Sequence, residues 1–142
     1  MLIYGEVTEV DGPSSRVRMR IPDRDGMSTH WLQVPQASSG RHQTRVMPAV
    51  GERVAAILDE DGIQGCVLGG IYTSQNPAPD GDAQAVYARF EDGTVLAGDG
   101  LKNWHFTVPS GGRLTFAVGA NAITIDDSGV TIRAVQFNGV RA

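Results

Sequence analysis

The chain has 142 residues, 41% of them apolar, with 12 basic against 16 acidic side chains and a formal net charge of −4. That length fits one domain or a domain with an appendage, and the acidic balance argues against a general nucleic-acid binder, which needs a basic face to displace counterions. A single cysteine, Cys66, rules out an internal disulfide framework and a Cys-based zinc site. No run approaches the ~18 apolar residues of a membrane-spanning helix. The start, Met1-Leu2-Ile3-Tyr4-Gly5-Glu6, lacks the basic region and cleavage site of an export leader, so synthesis in a cytoplasm is expected.

In chain order, the first signal is a series of Asp-Gly pairs, at residues 11–12, 25–26, 61–62, 80–81, 92–93 and 99–100, with Asn138-Gly139 besides. Gly tolerates positive φ and Asp bonds its own backbone, which suits the tight turns of β-hairpins. Between the pairs lie alternating or β-branched runs that read as strands: Leu2 to Val10, Ser15 to Ile21, His30 to Val34, Arg53 to Leu58 and Gly65 to Tyr72. Only Ala49 to Leu58 offers a helical alternative, and Gly51 weakens it. Residues 1–75 thus read as a five-stranded antiparallel unit. The stretch Asn76-Pro77-Ala78-Pro79 opens a proline-bearing linker over residues 76–85.

Residues 86–142 have a different character. Apolar residues two apart recur between polar or Gly-rich corners: Phe106/Val108, Leu114/Phe116/Val118, Ile123/Ile125, Val130/Ile132 and Val135/Phe137. Each set predicts a short strand with one apolar face. Strands this short, with so few large apolar groups, cannot close a core alone. Either other copies of the chain cover them or the tail is poorly ordered; oligomerisation is the expectation.

The order Gly5-x-Val7, Arg16-Val17-Arg18-Met19-Arg20-Ile21-Pro22, Trp31-Leu32-Gln33-Val34 and Pro48-Ala49-Val50-Gly51-Glu52-Arg53-Val54 resembles the phage baseplate assembly protein V family. Val67-Leu68-Gly69-Gly70-Ile71-Tyr72 and Ala88-Arg89-Phe90-Glu91-Asp92-Gly93 extend the resemblance. Members are central spikes of contractile phage tails, related to the spikes of type VI secretion systems. The resemblance implies an all-β chain: an N-terminal OB-fold barrel over residues 1–75, then a trimeric intertwined β-prism or β-helix over residues 86–142. It further implies a non-enzymatic homotrimer in the virion tail baseplate that docks on a tail hub protein and pierces the host outer envelope. The hub-interface candidates are Arg16, Arg18 and Arg20, which alternate on one strand. The trimer-core candidates are Phe106, Leu114, Phe116, Ile123, Ile125, Val130, Ile132 and Phe137. Some members end in a His-x-His that binds iron on the trimer axis; here His30, His42 and His105 are never two apart. No cofactor and no metal are therefore expected, and a separate tip-cap protein is expected to meet Phe137 and Val140.

Other features have plainer readings. Asp23-Arg24-Asp25-Gly26 and Asp59-Glu60-Asp61-Gly62 look like the start of a calcium loop, but the later ligands are missing, so hairpin turns are expected. No Gly-x-Ser-x-Gly elbow supports a hydrolase. Trp31 is assigned to the barrel core, with an interface anchor as the alternative. Trp104 is assigned to packing at the start of the prism, and Cys66 to a small buried apolar position. The competing functional class is an OB-type oligonucleotide- or saccharide-binding module, in which the three arginines would line a groove; the spike reading expects no nucleic-acid partner.

Overall fold

The computed structural model describes residues 1–141; Ala142, the last residue of the expected prism range, lies outside the described residues. The described chain is β apart from one short 3₁₀ turn over Pro22–Arg24, and no helix is long and apolar enough to cross a membrane. It divides into two compact units, Met1–Ala78 and a second beginning at Pro79.

The first unit contains β1 (Leu2–Asp11), β2 (Arg16–Ile21), β3 (Met27–Ser28), β4 (Leu32–Gln33), β5 (Arg53–Leu58) and β6 (Gly65–Gly70). Hydrogen bonding runs β1-β5-β6-β4-β2 and returns to β1, closing a five-strand barrel, with β3 paired onto β2. The expected OB-type barrel is what forms, but it is not wholly antiparallel. An odd number of strands cannot alternate direction all the way round a ring, so one contact must be parallel. That contact is β4 to β6, at Gln33 opposite Cys66. The predicted strand from His30 to Val34 shortens to β4, and Met27–Ser28 adds a pairing the sequence did not suggest.

Strand β1 serves two neighbours. Its first half pairs with β5 and its second half with β2, and the register shifts between Val7 and Glu9. Such a bulge bends and twists a strand, which is what a barrel stave shared by two partners requires. The Thr8 hydroxyl, at the bulge, donates to the Arg18 carbonyl at 3.3 Å. Alternate residues then point inward: Ile3 and Val7 from β1, Val17, Met19 and Ile21 from β2, Val54, Ala56 and Leu58 from β5. With Leu32, Val34 and Val67 they form one buried cluster. The buried polar residue Thr29 is satisfied, because its Oγ1 accepts from the Met19 N–H at 3.1 Å and donates to the His30 carbonyl at 2.9 Å.

The helical alternative over residues 49–58 is excluded, since β5 occupies most of it and Gly51 sits at φ +88°. Asp-Gly pairs link β1 to β2, β2 to β3 and β5 to β6, with Asp25, Gly26 and Gly62 at positive φ.

The second unit contains two three-stranded antiparallel sheets. One is β7 (Val86–Arg89), β8 (Val95–Gly98) and β9 (Trp104–Thr107); the other is β10 (Arg113–Val118), β11 (Asn121–Asp126) and β12 (Gly129–Arg133). Their hairpin turns include Asp92-Gly93 and Asp99-Gly100, both glycines at positive φ. The predicted strand at Val135/Phe137 does not form, and β9 ends before Val108. The β11–β12 ladder ends at Ala122 opposite Arg133, and beyond it the Val135 N–H donates to the Asn121 side-chain carbonyl at 2.8 Å. Strands β7 and β8 carry Ala and Gly at alternate positions, so no period-two run of large apolar residues marks them.

Candidate functional site

The second unit presents its apolar side chains rather than burying them. In the antiparallel register, Leu114, Ile125 and Val130 form one cross-strand row, and Phe116, Ile123 and Ile132 the next. Cross-strand partners share a face, so six of the eight trimer-core candidates lie together. On the central strand β11 that face is the more open one. Ile123 and Ile125 are each 43% exposed, while Ala122, Thr124 and Asp126 on the opposite face of β11 are less so. Phe106 belongs to the other sheet, in a row with Ala88 and Leu96, and Phe137 lies past β12 outside any strand. Trp104 lies on the same face as Phe106, over Gly98: a Cβ added there would come within 2.8 Å of the indole. Its ring is otherwise largely exposed.

On the barrel, Arg16, Arg18 and Arg20 do share the outward face of β2, and the structure surrounds them with acids. Across the ladder, Arg20 faces Glu6, Arg18 faces Glu9 and Arg16 faces Asp11. Arg18 pairs with Glu9 and Arg20 with Glu6, each at 3.3 Å. Three cations opposite three carboxylates leave no net charge along the row, so the phosphate-tracking groove of the competing reading has no basis there. Trp31 is not core. It is half-buried beneath the Arg18 guanidinium, 4.9 Å from the ring centroid, because Leu32 and Val34 face the core and alternation turns Trp31 outward. Cys66 is likewise only partly buried.

In the second acidic turn the leading carboxylate is engaged by the backbone. Asp59 accepts from the Ile63 and Gln64 N–H groups at 2.8 and 3.1 Å, which is turn chemistry. Among the described residues no three His, Cys, Asp or Glu side chains gather as a metal-binding cluster. In the second unit, hydrogen bonds hold three carboxyls below the usual aspartate range. The main donors are the Thr94 N–H to Asp92, the Asn103 amide to Asp99 and the Ser128 hydroxyl to Asp126.

A closed five-strand barrel of this connectivity defines an OB-type module, and the unit that follows it consists of sheets with exposed apolar faces. Residues 3–72 match the family described as the type VI secretion system/phage-baseplate injector OB domain. The chain is also 36% identical over 97 residues to the spike protein of Escherichia phage P2; this stretch covers 68% of the chain and 44% of that relative. The chain belongs, through its barrel, to the phage baseplate assembly protein V family. This kinship supports a component of the virion tail baseplate related to structural spike proteins.

Proposed function

We propose that the chain forms the central spike of a contractile tail, a homotrimeric rod that is driven through the host outer envelope when the sheath contracts. The supporting observation is the open apolar face of β10, β11 and β12. Its two cross-strand rows contain no charged residue, and large unpartnered apolar surface marks an interface. Three copies closing around an axis cover it. Phe106 and the exposed Trp104 extend the same packing on the other sheet, and Phe137 and Val140 contact a tip-cap subunit. The barrel attaches the rod to the tail hub. Its role is mechanical and not enzymatic: strands from three chains share one core, so no chain bends without breaking contacts in the others.

The test is solution mass. Sedimentation equilibrium is expected to give about 45 kDa, three times the 15.1 kDa chain, whereas a stable monomer overturns the reading.

A further inference from the structure

Between β4 and β5 the barrel sends out a long loop that has no acidic residue from Pro35 to Gly51. Gln36 fastens its neck, accepting from the Val46 N–H at 2.8 Å and donating to the Val46 carbonyl at 3.3 Å. Further out, the Thr44 N–H donates to the Ser38 carbonyl at 3.0 Å and the Ser38 N–H to the Thr44 hydroxyl at 3.2 Å. Ser39 and Gln43 then form a single β-bridge. The tip is thus a held finger, with Arg41, His42 and Arg45 exposed.

Two observations single this finger out. Elsewhere in the first unit each arginine has company: Arg18 and Arg20 are ion-paired, Arg16 faces Asp11, Arg24 donates to the Glu60 carbonyl, and Arg53 lies over Tyr4. Among the described residues Arg41 and Arg45 have no such partner. Beside the finger, an open cleft of about 500 Å³ runs against the β1–β2 turn, lined by Gly12, Pro13, Ser38, Ser39, Gln43 and Arg45. Hydroxyl and amide donors with a guanidinium at the edge suit carboxylates, which take charge-assisted, bidentate hydrogen bonds from arginine.

We propose that this finger docks an acidic segment of a partner protein, with Arg41 and Arg45 as the anchors. It rests on the spike reading for its biological setting, where the partner surface is that of the tail hub. The docking charge then comes from this loop and not from the neutralised row at Arg16, Arg18 and Arg20. A nucleic acid also offers anions, but no Phe, Tyr or Trp lies between Pro35 and Gly51 to stack bases.

Fluorescence anisotropy of the full chain tests this, with a labelled glutamate-rich peptide and a labelled single-stranded DNA of equal charge at low salt. The peptide is expected to bind, and the double variant Arg41→Glu/Arg45→Glu to weaken it by roughly tenfold or more, since reversing anchor charges replaces attraction by repulsion. Arg41→Gln/Arg45→Gln is expected to lose less in the same direction, and Arg16→Gln to leave binding within about twofold, as a self-paired row contributes little. Failure of the wild-type chain to bind the peptide, equal binding by both double variants, or tighter binding of DNA overturns the proposal. Mass measured on the same samples separates the two readings. A trimer that ignores the peptide sinks the finger alone, and a monomer that binds it sinks the spike alone.

Discussion

Gly5 faces the barrel interior, where a Cβ would come within 2.8 Å of the Arg20 carbonyl oxygen and 2.9 Å of the Met19 sulfur. The first of these is backbone, so the strand itself would have to shift. Gly5→Ala is expected to cost about 1–3 kcal/mol, the range for overpacking a core, read as a lower denaturant midpoint for the barrel. Thr29 makes the opposite point. Thr29→Val keeps the volume but leaves the Met19 N–H without its acceptor, at a cost of about 1–3 kcal/mol for an unsatisfied buried donor. Thr29→Ser, which retains the hydroxyl, is expected to recover most of that loss in the same unfolding assay. Neither role stands out from residue type. Gly5 is legible in the sequence as part of a motif, but its reason is a carbonyl fifteen residues away.

Among the elements, the hairpins of the second unit lean on their aspartates. The carboxylates of Asp92, Asp99 and Asp126 accept backbone N–H bonds from Thr94, Leu101 and Ser128 at 2.8, 2.6 and 3.0 Å. Their folded pKa values are lowered, so the turns gain support above the ordinary aspartate value, about 3.9. They lose it as pH falls through the lower folded values. Protection factors of the Thr94, Leu101 and Ser128 amides are therefore expected to fall on acidification from pH 5 towards pH 2. Unchanged protection refutes the assignment. The sheet β10-β11-β12 supplies a sharper test through Ile125→Asp. On an isolated chain the side chain is already 43% exposed, so the substitution costs little there. Around a three-fold axis it buries three carboxylates, each costing several kcal/mol unless paired. Loss of the trimer, seen by sedimentation, is the expected outcome, and a trimer of wild-type melting temperature excludes Ile125 from the core.

At the scale of the whole molecule, one unit has a core and the other lacks one. Every residue of the buried cluster lies between Ile3 and Val67, so a fragment ending at Ala78 is expected to fold as a monomeric barrel with a cooperative transition. The remainder, from Pro79 onward, is expected to retain the trimeric state. A barrel fragment that stays a tight trimer places the assembly determinant in the wrong unit. The family match covers residues 3–72, and the 97-residue likeness to the phage P2 spike protein is longer than the barrel unit and so reaches into the second unit.

The sequence by itself determined the all-β class, the strands of the barrel and the apolar alternation of β10, β11 and β12. These are local properties, readable from period-two patterns and from Asp-Gly turns that hold wherever the strands end up. What only the tertiary structure decided are the relations between strands. The parallel closure of β4 on β6 follows from ring parity, which no local pattern encodes. The bulge beside Val7 sets which acid meets which arginine, and so turned three cations that looked available into a neutral row. Trp31 moved from the expected core to a place beneath Arg18 because Leu32 and Val34 take the inward positions of its stretch. The loop from Pro35 to Gly51 is a held, charged finger only because Gln36 closes its neck. Charge along a chain is a sum over residues, but available charge depends on which neighbours the fold brings within reach.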